Sequence, residues 1–134
     1  MKLLDRVVES TTEYIETMPK ALRKKYGQFF TSKETAMFMA SLFNISEGST
    51  EISILDPGSG SGILSVALLE RIETLSVKKV DLVCYENDEK IIPILKDNLE
   101  FAKNHVSFQL TYEIRNENFI IDNEIDYNNM LGAE

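Results

Sequence analysis

The stretch Asp56-Pro57-Gly58-Ser59-Gly60-Ser61-Gly62 decides how the rest of this chain is interpreted. It follows a short apolar strand pattern over residues 52–55 and precedes a helical pattern over residues 63–72. Three glycines at alternate positions let the backbone adopt positive φ or approach a ligand closely. The following helix points its free amides, and therefore its positive end, at whatever lies over the turn. The sequence thus predicts a ligand-binding turn between a strand and a helix.

The glycine spacing and the preceding acid favour a ligand with an amino acid end. A dinucleotide-binding turn has the pattern G-x-G-x-x-G, whereas Ile63 occupies the position of the third glycine here. Asp56 places a negative charge at the mouth of the turn, which suits an ammonium group better than a phosphate. Glu86 ends the next strand pattern, where a carboxylate can accept hydrogen bonds from both ribose hydroxyls. Together these features indicate a nucleoside cofactor.

The strand, turn and helix pattern is repeated along the chain. Residues 80–85 form a second strand pattern, residues 91–101 carry apolar side chains at helical spacing, and residues 106–114 alternate as a third strand. Strands separated by helices pair in parallel through right-handed crossovers. The sequence therefore predicts an α/β fold with a doubly wound parallel sheet.

Polar and aromatic residues stand where the predicted strands end. Ligands bind at the carboxyl ends of the strands in sheets of this kind. Asp56, Glu86 and the pair Asn118-Phe119 all fall at such ends. We therefore expect them to share one site.

The N-terminal part of the chain predicts helices. An amphipathic helix should end near Pro19, and residues 20–25 can add a short second helix. Thr31 and Glu34 have the spacing of a capping box, which would begin a helix that runs to about Phe43.

The helix after the second strand has two candidate caps, Asn87 and Asp88. Pro93 is harmless there if it lies in the first turn and otherwise causes a kink. For the domain organisation, we expect a helical segment over residues 1–45 and the first half of an α/β unit over residues 46–134. Both would belong to one structural domain.

Composition limits the partners and the compartment. The net charge of −8 argues against this chain binding a polyanion on its own, because nucleic-acid affinity comes largely from lysine and arginine side chains that contact phosphates. No apolar run approaches the length of a membrane span, so no membrane partner is expected. The single cysteine, Cys84, excludes an internal disulfide and a multi-cysteine metal site, and it favours a reducing, cytoplasmic setting. We expect no bound metal.

Four segments resemble those of class I S-adenosylmethionine-dependent methyltransferases, and among them the adenine-N6 DNA methyltransferases of restriction-modification systems. The glycine turn is similar to their first cofactor motif. The upstream segment 25–31 is similar to the one that packs over the methionine end of the cofactor. Tyr85-Glu86-Asn87-Asp88 matches their acidic ribose-binding position, and residues 116–120 resemble the element that contacts the adenine ring. The resemblance covers about residues 20–122 and implies a Rossmann-like fold.

The resemblance also implies roles for individual residues. Thr31 and the Phe29 backbone would border the methionine moiety of S-adenosylmethionine, and Asp56 would orient its ammonium group. The adenosine part would be held by Glu86 at the ribose and by residues around the adenine. The full set of cofactor-binding residues implied is Phe29, Thr31, Asp56, Gly58, Ser59, Gly60, Glu86, Asn87, Asn118 and Phe119.

The chain departs from the family pattern at several positions. Ser32 stands where a proline is usual, Ser59 replaces a cysteine, and Asn118 replaces an aspartate. A neutral Asn118 should accept a weaker hydrogen bond from the adenine amino group than a carboxylate would. The family's catalytic tetrapeptide has two central prolines, and no Pro-Pro occurs in this sequence. No catalytic residue is therefore assigned.

This absence leads us to expect a cofactor-binding N-terminal fragment of a larger enzyme, with the DNA-contacting surface in the missing part. Such a fragment should bind its cofactor weakly and self-associate through an open sheet edge. Three alternatives stay open. The first is an RNA or protein methyltransferase of the same fold, and the second is an NAD-dependent oxidoreductase domain. The third is a non-enzymatic module whose pocket is vestigial.

Overall fold

A computed structural model describes residues 2–27 and 30–123 of the chain. In these ranges the first three helices precede three strands that alternate with two further helices, and a short helix follows. The elements are α1 (Leu3–Glu16), α2 (Lys20–Gly27), α3 (Lys33–Ser41), β1 (Glu51–Asp56), α4 (Ile63–Glu73), β2 (Lys79–Tyr85), α5 (Ile92–His105), β3 (Gln109–Arg115) and α6 (Phe119–Asp122).

The three strands form one parallel sheet in the order β1-β2-β3. Asp56 of β1 is aligned with Cys84 of β2, which is aligned in turn with Ile114 of β3. Helix α4 connects β1 to β2, and α5 connects β2 to β3. The predicted α/β architecture is therefore confirmed, and the carboxyl ends of all three strands lie along one edge.

The sheet buries one of its faces. Along β2, Val80, Leu82 and Cys84 are fully buried and belong to the core that the helices complete. Residues of the opposite face are more accessible, and Leu55 of β1 is 52% exposed. A doubly wound sheet carries helices on both faces. In the described ranges the core lies on one face alone, which agrees with the expected incomplete fold.

The N-terminal helices share this core. Leu4 and Val7 of α1 and Ala36 of α3 are buried in the same cluster as Leu69 of α4. Polar contacts reinforce the packing, because the Leu4 amide donates to a Glu70 carboxylate oxygen at 2.9 Å.

The last turn of α3 is held by α4. The Arg71 guanidinium donates to the carbonyl of Ala40 at 2.7 Å and also to that of Phe43. The Ala40 carbonyl lies in the last turn of α3, where carbonyls have no partner within the helix, and a cation is favourable at a helix C-terminus. The loop that leads from α3 to β1 is therefore anchored where it begins.

Both helix-cap predictions were wrong. Helix α3 begins after Ser32, whose hydroxyl accepts from the Thr35 amide at 3.2 Å, so Thr31 is not its cap. The start lies one residue later than a Thr31–Glu34 capping box requires. The same helix ends at Ser41, two residues before the predicted Phe43.

The start of α5 also differs from the prediction. The helix is preceded by Ile91 without a side-chain cap, because Asp88 instead accepts from the Lys90 amide at 3.0 Å in a turn before the helix. Pro93 falls in the first turn of α5, where its missing amide costs no hydrogen bond. Helix α6 and the later start of β3 were not predicted. None of the helices in the described ranges is long and apolar enough to cross a membrane.

Gly62 is required by both its conformation and its surroundings. Its φ is 95°, and a Cβ added to it would lie 2.9 Å from Leu95 Cδ1. Gly62→Ala should therefore lower the free energy of unfolding by about 2 kcal/mol. Gly27→Ala is the matched control, since a Cβ there meets nothing within 4 Å. Urea unfolding followed by circular dichroism measures both, and equal midpoints for the two variants would contradict this role.

Cys84 should be inert while the protein is folded. Burial raises the pKa of its thiol to about 11, above the value of an exposed cysteine. At pH 8 about one thiol in a thousand would then be ionised, and the thiolate is the reactive form. Ellman's reagent should label native Cys84 slowly and the urea-unfolded chain at once. Rapid labelling of the native chain would show that this part of the core opens.

Candidate functional site

The glycine turn leaves β1 at Asp56 and enters α4 at Ile63. Gly60 and Gly62 have φ values of 53° and 95°, in the left-handed region. The Ser59 amide donates to the Tyr85 carbonyl at 3.0 Å, which ties the turn to the end of β2. Glycine at these two positions therefore allows the positive φ angles that the turn needs, as the glycine spacing predicts.

The Glu86 carboxylate is fixed between two backbone amides. One of its oxygens accepts from the Gly60 amide at 2.8 Å, and the other accepts from the Asp88 amide at 2.9 Å. Each carboxylate oxygen has more than one acceptor position. The group is thus held in place by the protein while it keeps capacity for two further donors.

A depression of about 400 Å³ opens beside Glu86 at the carboxyl ends of the strands. The strand ends, the glycine turn and the start of α6 contribute its walls. It is lined by Pro57, Gly58, Tyr85, Glu86, Asn87, Glu117, Asn118, Phe119 and Ile120. Half of the predicted cofactor-binding residues therefore come together here, namely Gly58, Glu86, Asn87, Asn118 and Phe119.

The aromatic wall of the depression is rigidly placed. The Phe119 ring meets the Tyr85 ring edge to face, with centroids 5.1 Å apart. Arg115 donates from its guanidinium to the Tyr85 hydroxyl at 2.6 Å. The Asn118 side-chain oxygen accepts from the Ile120 amide at 3.0 Å and so starts α6. A planar group can lie against this wall.

Sequence reasoning missed part of this lining. Tyr85 was not predicted to line the site, although it ends β2 and directly precedes Glu86. Pro57, Glu117 and Ile120 flank predicted residues, and the short α6 that presents Ile120 has too few residues for a periodic signal.

Other predicted residues lie outside the depression. Asp56 is only 8% exposed, and its carboxylate accepts from the Ser65 hydroxyl at 2.6 Å. Ser59 is also buried, and its hydroxyl donates to the Asp56 carbonyl at 3.2 Å. Gly60 and the half-buried Thr31 do not line it either.

The upstream segment reaches the turn through Phe30. A Cβ added to Gly60 would lie 3.8 Å from Phe30 Cε1, and the Phe30 ring meets that of Tyr14 edge to face. The predicted Phe29 lies outside the described residues. Among the residues that are described, no group of three or more His, Cys, Asp or Glu side chains could hold a metal ion.

Comparison with known proteins places this geometry in a family. Residues 7–128 match the family model described as N-6 DNA Methylase. The chain is 30% identical over 125 residues to the Type II methyltransferase M.BsuBI of Bacillus subtilis. This alignment covers 87% of the chain and 23% of that protein. It is 33% identical over 101 residues to the Type II methyltransferase M.PstI of Providencia stuartii. That alignment covers 75% of the chain and 19% of the protein.

The chain thus spans less than a quarter of the length of these relatives. The family match nevertheless includes the glycine turn, Glu86 and the Asn118-Phe119 pair, which are the features that indicated this family in the sequence. Since the match extends over most of the 134 residues, the chain belongs to the N-6 DNA methylase family.

Proposed function

We propose that this chain is the S-adenosylmethionine-binding part of a DNA adenine-N6 methyltransferase of a restriction-modification system. The observation that carries the proposal is the fixed Glu86 carboxylate beside the depression at the strand ends, in a chain of the N-6 DNA methylase family. S-adenosylmethionine supplies an electrophilic methyl group on its sulfonium. The residues of this chain bind and orient that cofactor.

The adenosine part is assigned to the depression beside Glu86. Its volume of about 400 Å³ is within the usual range of small-molecule sites. The remaining acceptor positions of Glu86 suit the two ribose hydroxyls, because a carboxylate accepts from two donors at once. Phe119 and Asn87 would flank the adenine, and Asn118 would meet its edge.

The methionine part is assigned to the turn and to the upstream segment. Gly58, Ser59 and Gly60 would offer backbone groups, while Thr31 and Phe29 would border the chain of the methionine. Asp56 would orient the ammonium group. Its carboxylate is already bound by Ser65, so any contact uses its other acceptor positions or a bridging water.

Methyl transfer and DNA contact are assigned to the whole protein. The 134 residues contain no Pro-Pro, and their net charge of −8 is unfavourable for a phosphate backbone. The relatives are more than four times as long as the matched segments. We therefore propose that DNA binds mainly through a further part of the protein, and that this protein acts in the cytoplasm.

Calorimetry with S-adenosylhomocysteine tests the cofactor assignment. The chain should bind this cofactor analogue, which is the product that methyl transfer leaves, and should not bind NAD at the same concentrations. Glu86→Ala should weaken binding by about a hundredfold, since two hydrogen bonds to a charged acceptor are lost. The matched control is Glu51→Ala, which removes an exposed carboxylate at the opposite end of the sheet.

Two results would overturn the cofactor assignment. The first is tight binding of NAD without any response to S-adenosylhomocysteine, which favours an oxidoreductase. The second is an unchanged affinity for S-adenosylhomocysteine in a Glu86→Ala chain whose circular dichroism is native. That result would contradict the proposed contact between Glu86 and the ribose.

We also propose self-association through the open edge of β1. In the described ranges this strand pairs with β2 alone, and a groove of about 370 Å³ runs beside it. Phe43, which lines this groove, is 50% exposed. Unpaired strand edges next to apolar surface tend to pair with another chain.

Light scattering coupled to size-exclusion chromatography tests this association. The mean mass should rise toward that of a dimer as the protein concentration increases. Phe43→Glu should restore the monomer, whereas Leu75→Glu, a comparable exposed residue in the loop after α4, should not. A monomer at every concentration would contradict the proposal.

A further inference from the structure

A buried polar cluster lies behind the glycine turn and takes no part in lining the depression. It joins Thr11 of α1, Ser61 of the turn and Asn98 of α5, which are 6%, 1% and 2% exposed. Ser10 of α1 lies beside Asn98 and completes it. Buried polar groups are costly unless they are paired, so a cluster of this kind holds its members in one arrangement.

The cluster holds Ser61 at two points. The Asn98 side-chain amide donates to the Ser61 carbonyl at 2.9 Å and to the Ser10 hydroxyl at 3.0 Å. A hydrogen bond of 2.7 Å joins the hydroxyls of Thr11 and Ser61. One contact fixes the peptide of Ser61, and the other fixes its side chain.

Ser61 stands between Gly60 and Gly62, the two glycines of this turn that have positive φ. Glycine populates either sign of φ readily, so the glycines alone do not keep the turn in one conformation. The Ser61 carbonyl shares its peptide group with the Gly62 amide, which donates to the Ser59 carbonyl at 2.8 Å. That carbonyl shares its peptide group with the Gly60 amide, which donates to the Glu86 carboxylate at 2.8 Å. Holding Ser61 therefore holds Gly60.

Helix α5 supports the same turn with a second residue. Leu95 lies one helical turn before Asn98, so both side chains lie on one face of α5. Leu95 packs so closely against Gly62 that a Cβ added there would lie 2.9 Å from Leu95 Cδ1, and one of the two groups would have to shift. An apolar contact at Gly62 and a polar contact at Ser61 together define where the turn rests.

We propose that Thr11 and Asn98 are positioning residues of the cofactor site. They act through Ser61 and keep the Gly60 amide and the Glu86 carboxylate in the geometry that receives the ribose. Neither touches the depression. This inference rests on the proposed cofactor-binding function, and it makes α1, which lies before the whole α/β unit in the chain, a part of the site's support.

Three variants of α1 test the role of Thr11. Thr11→Val removes the hydroxyl and keeps the shape, whereas Thr11→Ser keeps the hydroxyl and should restore wild-type behaviour. Thr12→Val is the matched control, because each hydroxyl donates to the carbonyl four residues earlier, Thr11 to Val7 at 2.6 Å and Thr12 to Val8 at 2.9 Å. Thr12 is exposed and does not belong to the buried cluster.

The first measurement is amide hydrogen exchange in the ligand-free chain. In Thr11→Val the Gly60 amide should exchange about tenfold faster than in the wild type, as expected when one buried hydrogen bond is lost. The Leu82 amide in the central strand serves as the reference. A general loss of stability would raise exchange at both amides, whereas a positioning role raises it at Gly60 first.

The second measurement is the affinity for S-adenosylhomocysteine at a temperature where every variant is folded. Thr11→Val should bind about tenfold more weakly, while Thr11→Ser and Thr12→Val should stay within about twofold of the wild type. Asn98→Leu, which loses the amide donor to Ser61 but keeps a similar side-chain size without adding a buried charge, should behave like Thr11→Val and replaces it if that variant does not fold.

The outcomes separate the two proposals. If the wild type binds the analogue and Thr11→Val matches it in both affinity and Gly60 exchange, the positioning role is wrong. If the wild type does not bind the analogue, the proposed cofactor function fails. Gly60 exchange then still decides whether Thr11 and Asn98 hold the turn.

Discussion

The hydrogen bond from the Gly60 amide to the Glu86 carboxylate joins the ends of two neighbouring strands. It forms only if the chain turns through positive φ after β1 and if β1 and β2 are parallel and in register. The glycine turn needs a residue without a side chain at Gly62, where Leu95 approaches. The register of the sheet needs α4 to cross over on the face that buries Val80 and Leu82. The site therefore depends on the glycine turn, the register of the sheet and the crossover together.

The order of strands and helices, the parallel sheet and half of the proposed site could be predicted from the sequence. Each rests on a strong local signal, such as alternate glycines or an acid that ends an apolar strand. The helix caps could not be predicted, because several residues near Thr31 and Asn87 are able to cap and the packing of the helix chooses among them. Ser32 and Ile91 take those positions in the structure.

The surroundings of Asp56 could not be read from the motif. Its position in the motif predicts a role at the cofactor, and the structure adds that its carboxylate is mostly buried and accepts a hydrogen bond from Ser65. Likewise, Thr11 and Asn98 give no sequence signal, since a polar residue on a helix is usually solvated. Only the tertiary contact between α1, α5 and the turn shows that these side chains are buried and paired.

Because Leu95 and Asn98 reach the turn from one face of α5, the length of this helix segment matters as much as its residues. One residue inserted between Pro93 and Leu95 would rotate the rest of α5 by about 100° and shift it by about 1.5 Å. Leucine and asparagine would then still be present in the sequence, but neither would face Ser61 or Gly62. Relatives can therefore vary the exposed side chains of α5 freely, whereas insertions and deletions between Pro93 and Asn98 should be rare.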